Sequence, residues 1–151
     1  MSGIKIADSA GSLKGKFLMR VLNRSGLIIS EYRDNNMIVN SARIAMSRLV
    51  SEGIESGKVI TRFGVGINTE TATPADTELT DCYANAIITH DFPEAGTVRF
   101  FWKLGYDEAN DKSISEFGLF CDDGSLFSRK VRSPIFKAAD LAFEGEWSII
   151  F

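Results

Sequence analysis

The chain has 151 residues, a hydrophobic fraction of 44%, a charged fraction of 25% and a net charge of -3. That length suits one domain able to bury about two-thirds of its unfolded surface, and the scatter of Lys and Arg, clustered only at Arg129, Lys130 and Arg132, disfavours nucleic acid as the main ligand. No apolar run approaches a membrane span, and MSGIKIADSAGS lacks the apolar centre of a signal peptide, so no membrane is expected and synthesis is expected in the cytoplasm.

Residues 1–14, rich in Gly, Ser and Ala, read as a mobile N-terminal arm, and residues 15–151 as a single β-sandwich domain. Phe17, Met19 and Val21 alternate with Leu18, Arg20 and Leu22; after Asn23, Arg24, Ser25 and Gly26 the apolar run returns over 27–32, which predicts a hairpin. Asp34, Asn35 and Asn36 read as a further turn before a short strand over 37–39. Asn40 or Ser41 then caps a helix in which Ala42, Ala45, Met46, Leu49 and Val50 recur at helical spacing until Gly53 stops it. That stripe is expected to pack on a sheet.

A loop over 54–58 precedes a strand over 59–67 that carries FGVG, where Gly64 and Gly66 allow a close backbone approach or a bulge. Residues 68–81, NTETATPADTELTD, have no periodicity and form a long loop, a feature that compact domains usually use for function or for contact with other chains. Asn68, Thr69, Thr71, Thr73, Pro74, Asp76 and Thr77 are its candidate assembly residues. Strands follow over 83–89 and 97–104, and residues 107–112 make a turn.

The stretch ISEFGLFCDDGSLFSRKVRSPIFK, residues 114–137, is a second hairpin, its arms joined through an Asp-Gly turn. If Cys121 pairs with Leu126, Phe120 faces Phe127 and Gly118 faces Arg129. Glu116 and Arg129 then lie diagonally on one face and predict a buried structural clamp, because no second acid, nucleophile or histidine accompanies them. The last strand, 141–151, alternates up to Phe151, so it is either central or completed by a neighbouring subunit. About eight or nine strands and one helix make a mainly β fold, an antiparallel β-sandwich with one short helix packed on it.

Groups suited to catalysis are sparse. His90 and Cys82 are the one conceivable base and nucleophile pair, but the two cysteines, Cys82 and Cys121, read better as buried free thiols. Asp107, Asp111, Asp122 and Asp123 lack the spacing of a calcium loop, and FGVGIN lacks that of a phosphate loop. No enzyme activity, metal or cofactor is expected.

Four segments carry a resemblance: GLIISEYRDNNMIVNSAR, FGVGINTETATPADTELTD, ISEFGLFCDDGSLFSRKVRSPIFK and EGEWSIIF. In that order the chain resembles bacteriophage virion proteins of tails, baseplates, fibres and collars, and related modules of contractile injection machines. The resemblance implies a structural subunit of the virion that forms homo-oligomers and docks on other phage virion proteins, with no catalytic residue or ligand to carry over. Many tail-fibre chains continue into a shaft or tip where this one stops at Phe151, which suggests a short tail, baseplate or neck component, or a fibre adaptor. The alternative is a glycan-binding module that recognises the host surface, for which Tyr83, Phe92 and Tyr106 are the aromatic candidates.

Overall fold

A computed structural model describes residues 13–53 and 56–151. The elements run β1 (Lys14–Leu22), β2 (Ile28–Ile38), α1 (Asn40–Glu52), β3 (Ile60–Gly66), β4 (Tyr83–Ala86), β5 (Thr89–Asp91), β6 (Thr97–Leu104), β7 (Lys112–Cys121), β8 (Leu126–Lys137) and β9 (Ala142–Ile150). Among the described residues the protein is thus mainly β with one helix. The expected pair of stacked sheets is replaced by one nine-stranded antiparallel sheet, ordered β4-β3-β7-β8-β2-β1-β9-β6-β5 and curled around its own core.

β2 is the physical reason for the single sheet. Its residues from Ile28 to Asn36 pair with β1, and its last two, Met37 and Ile38, pair with Arg129 and Ser128 of β8, so one strand serves both sides of the curl. The turn expected at Asp34, Asn35 and Asn36 is absorbed into this strand, where they pair with Phe17, Lys16 and Gly15. Gly15 is needed there: a Cβ on it would fall 2.2 Å from the Asn36 amide. Opposite β2, the ends of the sheet are joined through Ile87 and Ile88, whose N–H groups donate to the Thr61 and Phe101 carbonyls at 2.9 Å.

Alternation on β1, β6 and β9 puts Phe17, Trp102 and Trp147 on the concave side with Phe63 of β3 and Phe117 of β7. Phe63 stacks on Trp102 at 4.0 Å and Phe17 meets Phe117 at 5.0 Å, so aromatic contact bridges the two sides of the curl. Gly145 makes that density possible, since a Cβ there would fall 1.9 Å from the Leu18 carbonyl oxygen and 2.7 Å from the Trp102 ring. β9 lies between β1 and β6 and is therefore a central strand.

The helix departs from expectation at both its start and its stripe. Its N-cap is Val39, without a side-chain cap, because the Ser41 hydroxyl donates instead to the Leu126 carbonyl at 2.6 Å. Gly53 ends it in the left-handed region, φ 73°, as the sequence predicts. Ala42 and Ala45 are buried and Met46 half-buried, but Leu49 and Val50 are exposed, Val50 by 87%, so only the first two turns of the stripe pack on the sheet. Of the arm predicted over 1–14, residues 1–12 lie outside the described residues and Lys14 already belongs to β1.

Candidate functional site

β7 and β8 form the predicted hairpin, with Gly118 opposite Arg129. Two irregularities modify it. Phe120 pairs with Leu126 and leaves Phe127 as an extra residue, correcting the expected Phe120 to Phe127 pair. The second lies further along: Ile114 pairs with Ile135 but Glu116 with Val131, so Arg132, Ser133 and Pro134 bulge from β8 against the single residue Ser115.

Between these irregularities Glu116 and Arg129 meet on the face of the sheet opposite Phe117, beneath the 68–81 loop, and are 0% and 2% exposed. Arg129 Nε donates to Glu116 Oε1 at 2.9 Å. Glu116 Oε2 accepts two backbone N–H groups, from Asn68 at 2.9 Å and Thr80 at 2.8 Å, the two ends of the long loop. Arg129 Nη1 reaches Asp76 Oδ2 at 2.8 Å and Nη2 donates to the Glu70 carbonyl at 3.1 Å. One buried ion pair therefore grips the 68–81 loop at four positions. A buried charge is tolerable only when paired and fully hydrogen-bonded, and these backbone groups complete the pairing.

Neighbouring contacts tighten the grip. Ser115 Oγ donates to the Asn68 carbonyl at 2.9 Å, and the Asn40 N–H donates to the Pro74 carbonyl at 2.8 Å. Asp76 accepts the Thr73 N–H at 2.8 Å and the Thr73 hydroxyl at 2.9 Å. Burial works against its charge, but the Thr73 N–H and the Arg129 guanidinium outweigh it and hold the carboxyl below the usual carboxylate range. Leu79 is buried against Val39 and Leu126. Gly66 leaves the room the clamp needs, because a Cβ on it would sit 2.5 Å from Glu116 Oε2 and 2.7 Å from the Thr80 carbonyl oxygen.

The clamp residues and the loop residues, read separately in the sequence, thus belong to one structure. Thr69, Thr71, Thr73, Pro74 and Thr77 are exposed, while Asn68 and Asp76 are half-buried and turned to the clamp. The sequence contained no signal for the role of Asp76 as the second carboxylate on Arg129, since loops have no periodicity from which to read side-chain direction. Beside the loop, where β2 and β8 separate, a cleft of about 340 Å³ is lined by Asn35, Asn36, Thr69, Thr71, Arg129 and Lys130 among others.

The remaining candidates are dispersed. Cys82 is exposed rather than buried as expected, and partial desolvation together with the Glu116 and Asp81 charges raises its thiol pKa, the opposite of nucleophile activation. His90 packs against Phe92 and Phe100. Cys121 is buried, and both cysteines are free thiols. Among the described residues no group of three or more His, Cys, Asp or Glu is placed to hold a metal ion, and no helix is long and apolar enough to cross a membrane. Asp123 instead pairs with Lys58 at 2.8 Å. Of the aromatic candidates, Tyr83 donates to Glu108 at 2.7 Å and Tyr106 to the Asn23 carbonyl, whereas Phe92 is 72% exposed. It lines an apolar groove of about 270 Å³ with Leu49, Val59, Phe100 and Phe151.

No protein-family model matches the chain, and no curated protein or solved structure matches it either.

Proposed function

We propose that this chain is a non-enzymatic structural subunit of a bacteriophage virion, a tail, baseplate, neck or fibre-adaptor component that self-assembles and docks on other virion proteins. The observation that carries the reading is the fastening of the 68–81 loop: Glu116 and Arg129 fix both its ends and its middle while its threonines stay exposed. A loop ordered before contact loses little entropy on docking, so a preorganised polar edge suits assembly. The four segments that resemble phage tail, baseplate and collar proteins supply the virion context, and they include this loop and both clamp residues.

Light scattering on the purified chain and antibody-labelled electron micrographs of phage particles test the reading. The expected results are a self-associated species and label at one place on the virion. Particles without label, together with a strictly monomeric protein at high concentration, overturn it.

A second reading, a module for host-surface glycans, is favoured by the exposed Phe92 ring at the rim of its groove, since sugars stack on open aromatic faces. Loss of binding to host polysaccharide in Phe92→Ala is its test.

A further inference from the structure

Among the described residues, the two strands that join the sides of the curl leave an edge unused. β2 and β8 share only the pairs Met37 with Arg129 and Ile38 with Ser128, although β2 extends back to Ile28 and β8 on to Lys137. Side chains span the gap instead of backbone: Lys130 Nζ donates to Asp34 at 2.7 Å and to the Asn35 carbonyl at 3.0 Å, and the Arg132 guanidinium lies 4.5 Å from the Tyr32 ring centre.

The backbone direction along β2 follows from these contacts. The Val39 N–H donates to Phe127, the Met37 carbonyl accepts the Ser128 hydroxyl and the Asn35 carbonyl accepts Lys130, so odd-numbered residues turn their N–H and C=O groups toward β8. Alternation then directs the backbone groups of Arg33 and Glu31 away from β1, toward the side where β8 has left. β8 protects its own edge with the bulge at Arg132 and Ser133 and with Pro134, which has no N–H to offer. β2 has neither device over 30–36, its one irregularity being the extra residue Ile29 toward its start.

We propose that the free edge of β2 pairs with the same edge of a second copy of this chain, antiparallel and two-fold symmetric about Tyr32. In that register Glu31 faces Arg33 of the partner subunit, and Arg33 faces the partner's Glu31. Both residues direct N–H and C=O outward, so each facing pair exchanges two backbone hydrogen bonds. Charge selects the register: an axis one residue earlier sets two Glu31 side chains opposite each other, and one residue later two Arg33 side chains. Both groups lie on the outer face, with the Arg33 side chain 68% and the Glu31 side chain 40% exposed; within one chain they pair with each other at 2.9 Å and Glu31 also meets Arg20 at 3.4 Å, surface contacts that the facing partner charges would join or exchange. The contact also brings a strand over Ile28 and Ile29, 55% and 56% exposed beside the same edge. An isologous pairing of this kind closes as a dimer. The proposal deepens the assembly reading and rests on it for the expectation that copies meet at all.

Analytical ultracentrifugation of the full chain, with Glu31→Lys and Arg33→Glu variants, tests it. Each single variant places like charges opposite each other and is expected to weaken the dimer by about tenfold or more. An equimolar mixture of the two variants restores opposite charges at both positions, so a heterodimer should form where neither variant dimerises alone. Thermal melts of the separate variants check that each remains folded. Single variants as dimeric as the parent, or a mixture that stays monomeric, overturn the β2 edge while leaving self-assembly through another surface standing. A heterodimer formed by a protein that antibody labelling does not find on virions overturns the virion reading and leaves the edge standing.

Discussion

The seam between β1 and β9 and the seam between β2 and β8 lie in the same sheet and are held by different forces. β1 and β9 pair without interruption from Lys14 with Ile150 to Leu22 with Ala142, and beneath them Phe17 and Trp147 pack at 5.0 Å. β2 and β8 share two residue pairs, and the region around them is held by Glu116, Arg129, Asp76, Lys130 and Asp34. Apolar packing and a full ladder make the first seam insensitive to pH and salt. Charge makes the second specific, and vulnerable where its ions are exposed.

The largest expected effect falls on the second seam. Arg129→Met leaves Glu116 buried without its cation and should cost about 3–5 kcal/mol in urea denaturation. Adding Glu116→Leu should recover part of that loss, because an apolar pair of similar volume removes the stranded charge. A double variant no more stable than the single one breaks the account of the clamp. Gly145→Ala comes next, at about 3 kcal/mol by the same measurement, since its new methyl meets the Leu18 carbonyl and the Trp102 ring in a packed core.

Asp76→Asn is expected to cost about 1 kcal/mol globally, yet to speed proteolysis within the 68–81 loop, sharpening the distinction between the clamp's body and its strap. Acid should act in the same place. Hydrogen bonds from Lys130 and from the Asn35 and Tyr32 groups lower the Asp34 pKa to about 2, and that of Asp76 is lowered too. Because folded values lie below the unfolded value of about 3.9, both contributions are complete above that pH and fade as pH falls through the folded values. Amide exchange followed from pH 5 to pH 2.5 should therefore open the loop and the β2 to β8 gap before the β1 to β9 seam. Val50→Ser, on the exposed last turn of α1, should change stability by no more than about 0.5 kcal/mol.

Much of this was legible in local pattern. Alternation located β1, β6 and β9 and the β7 to β8 hairpin, and a register counted from the Asp-Gly turn brought Gly118 to Arg129 and Glu116 into reach of it. The count at the turn was itself one residue off, because a bulge at Phe127 has no mark in an apolar run. The single run over 83–89 divides into β4 and β5 because its two ends pair with opposite sides of the curl. The polar Asp34, Asn35 and Asn36 looked like a turn; pairing with Phe17, Lys16 and Gly15 overrode their preference.

The sequence by itself determined the mainly β class, the helix with its glycine stop, the aromatic core faces and the two charges of the clamp, since each depends on spacing within one element or two neighbouring strands. Only the tertiary structure decided that one strand would close the sheet into a curl, that Asp76 and both ends of the threonine loop would share the Glu116 and Arg129 pair, and that, among the described residues, one edge of β2 would remain unpaired. Those arrangements depend on contacts between residues far apart in the chain, whose energies arise only when burial brings them together.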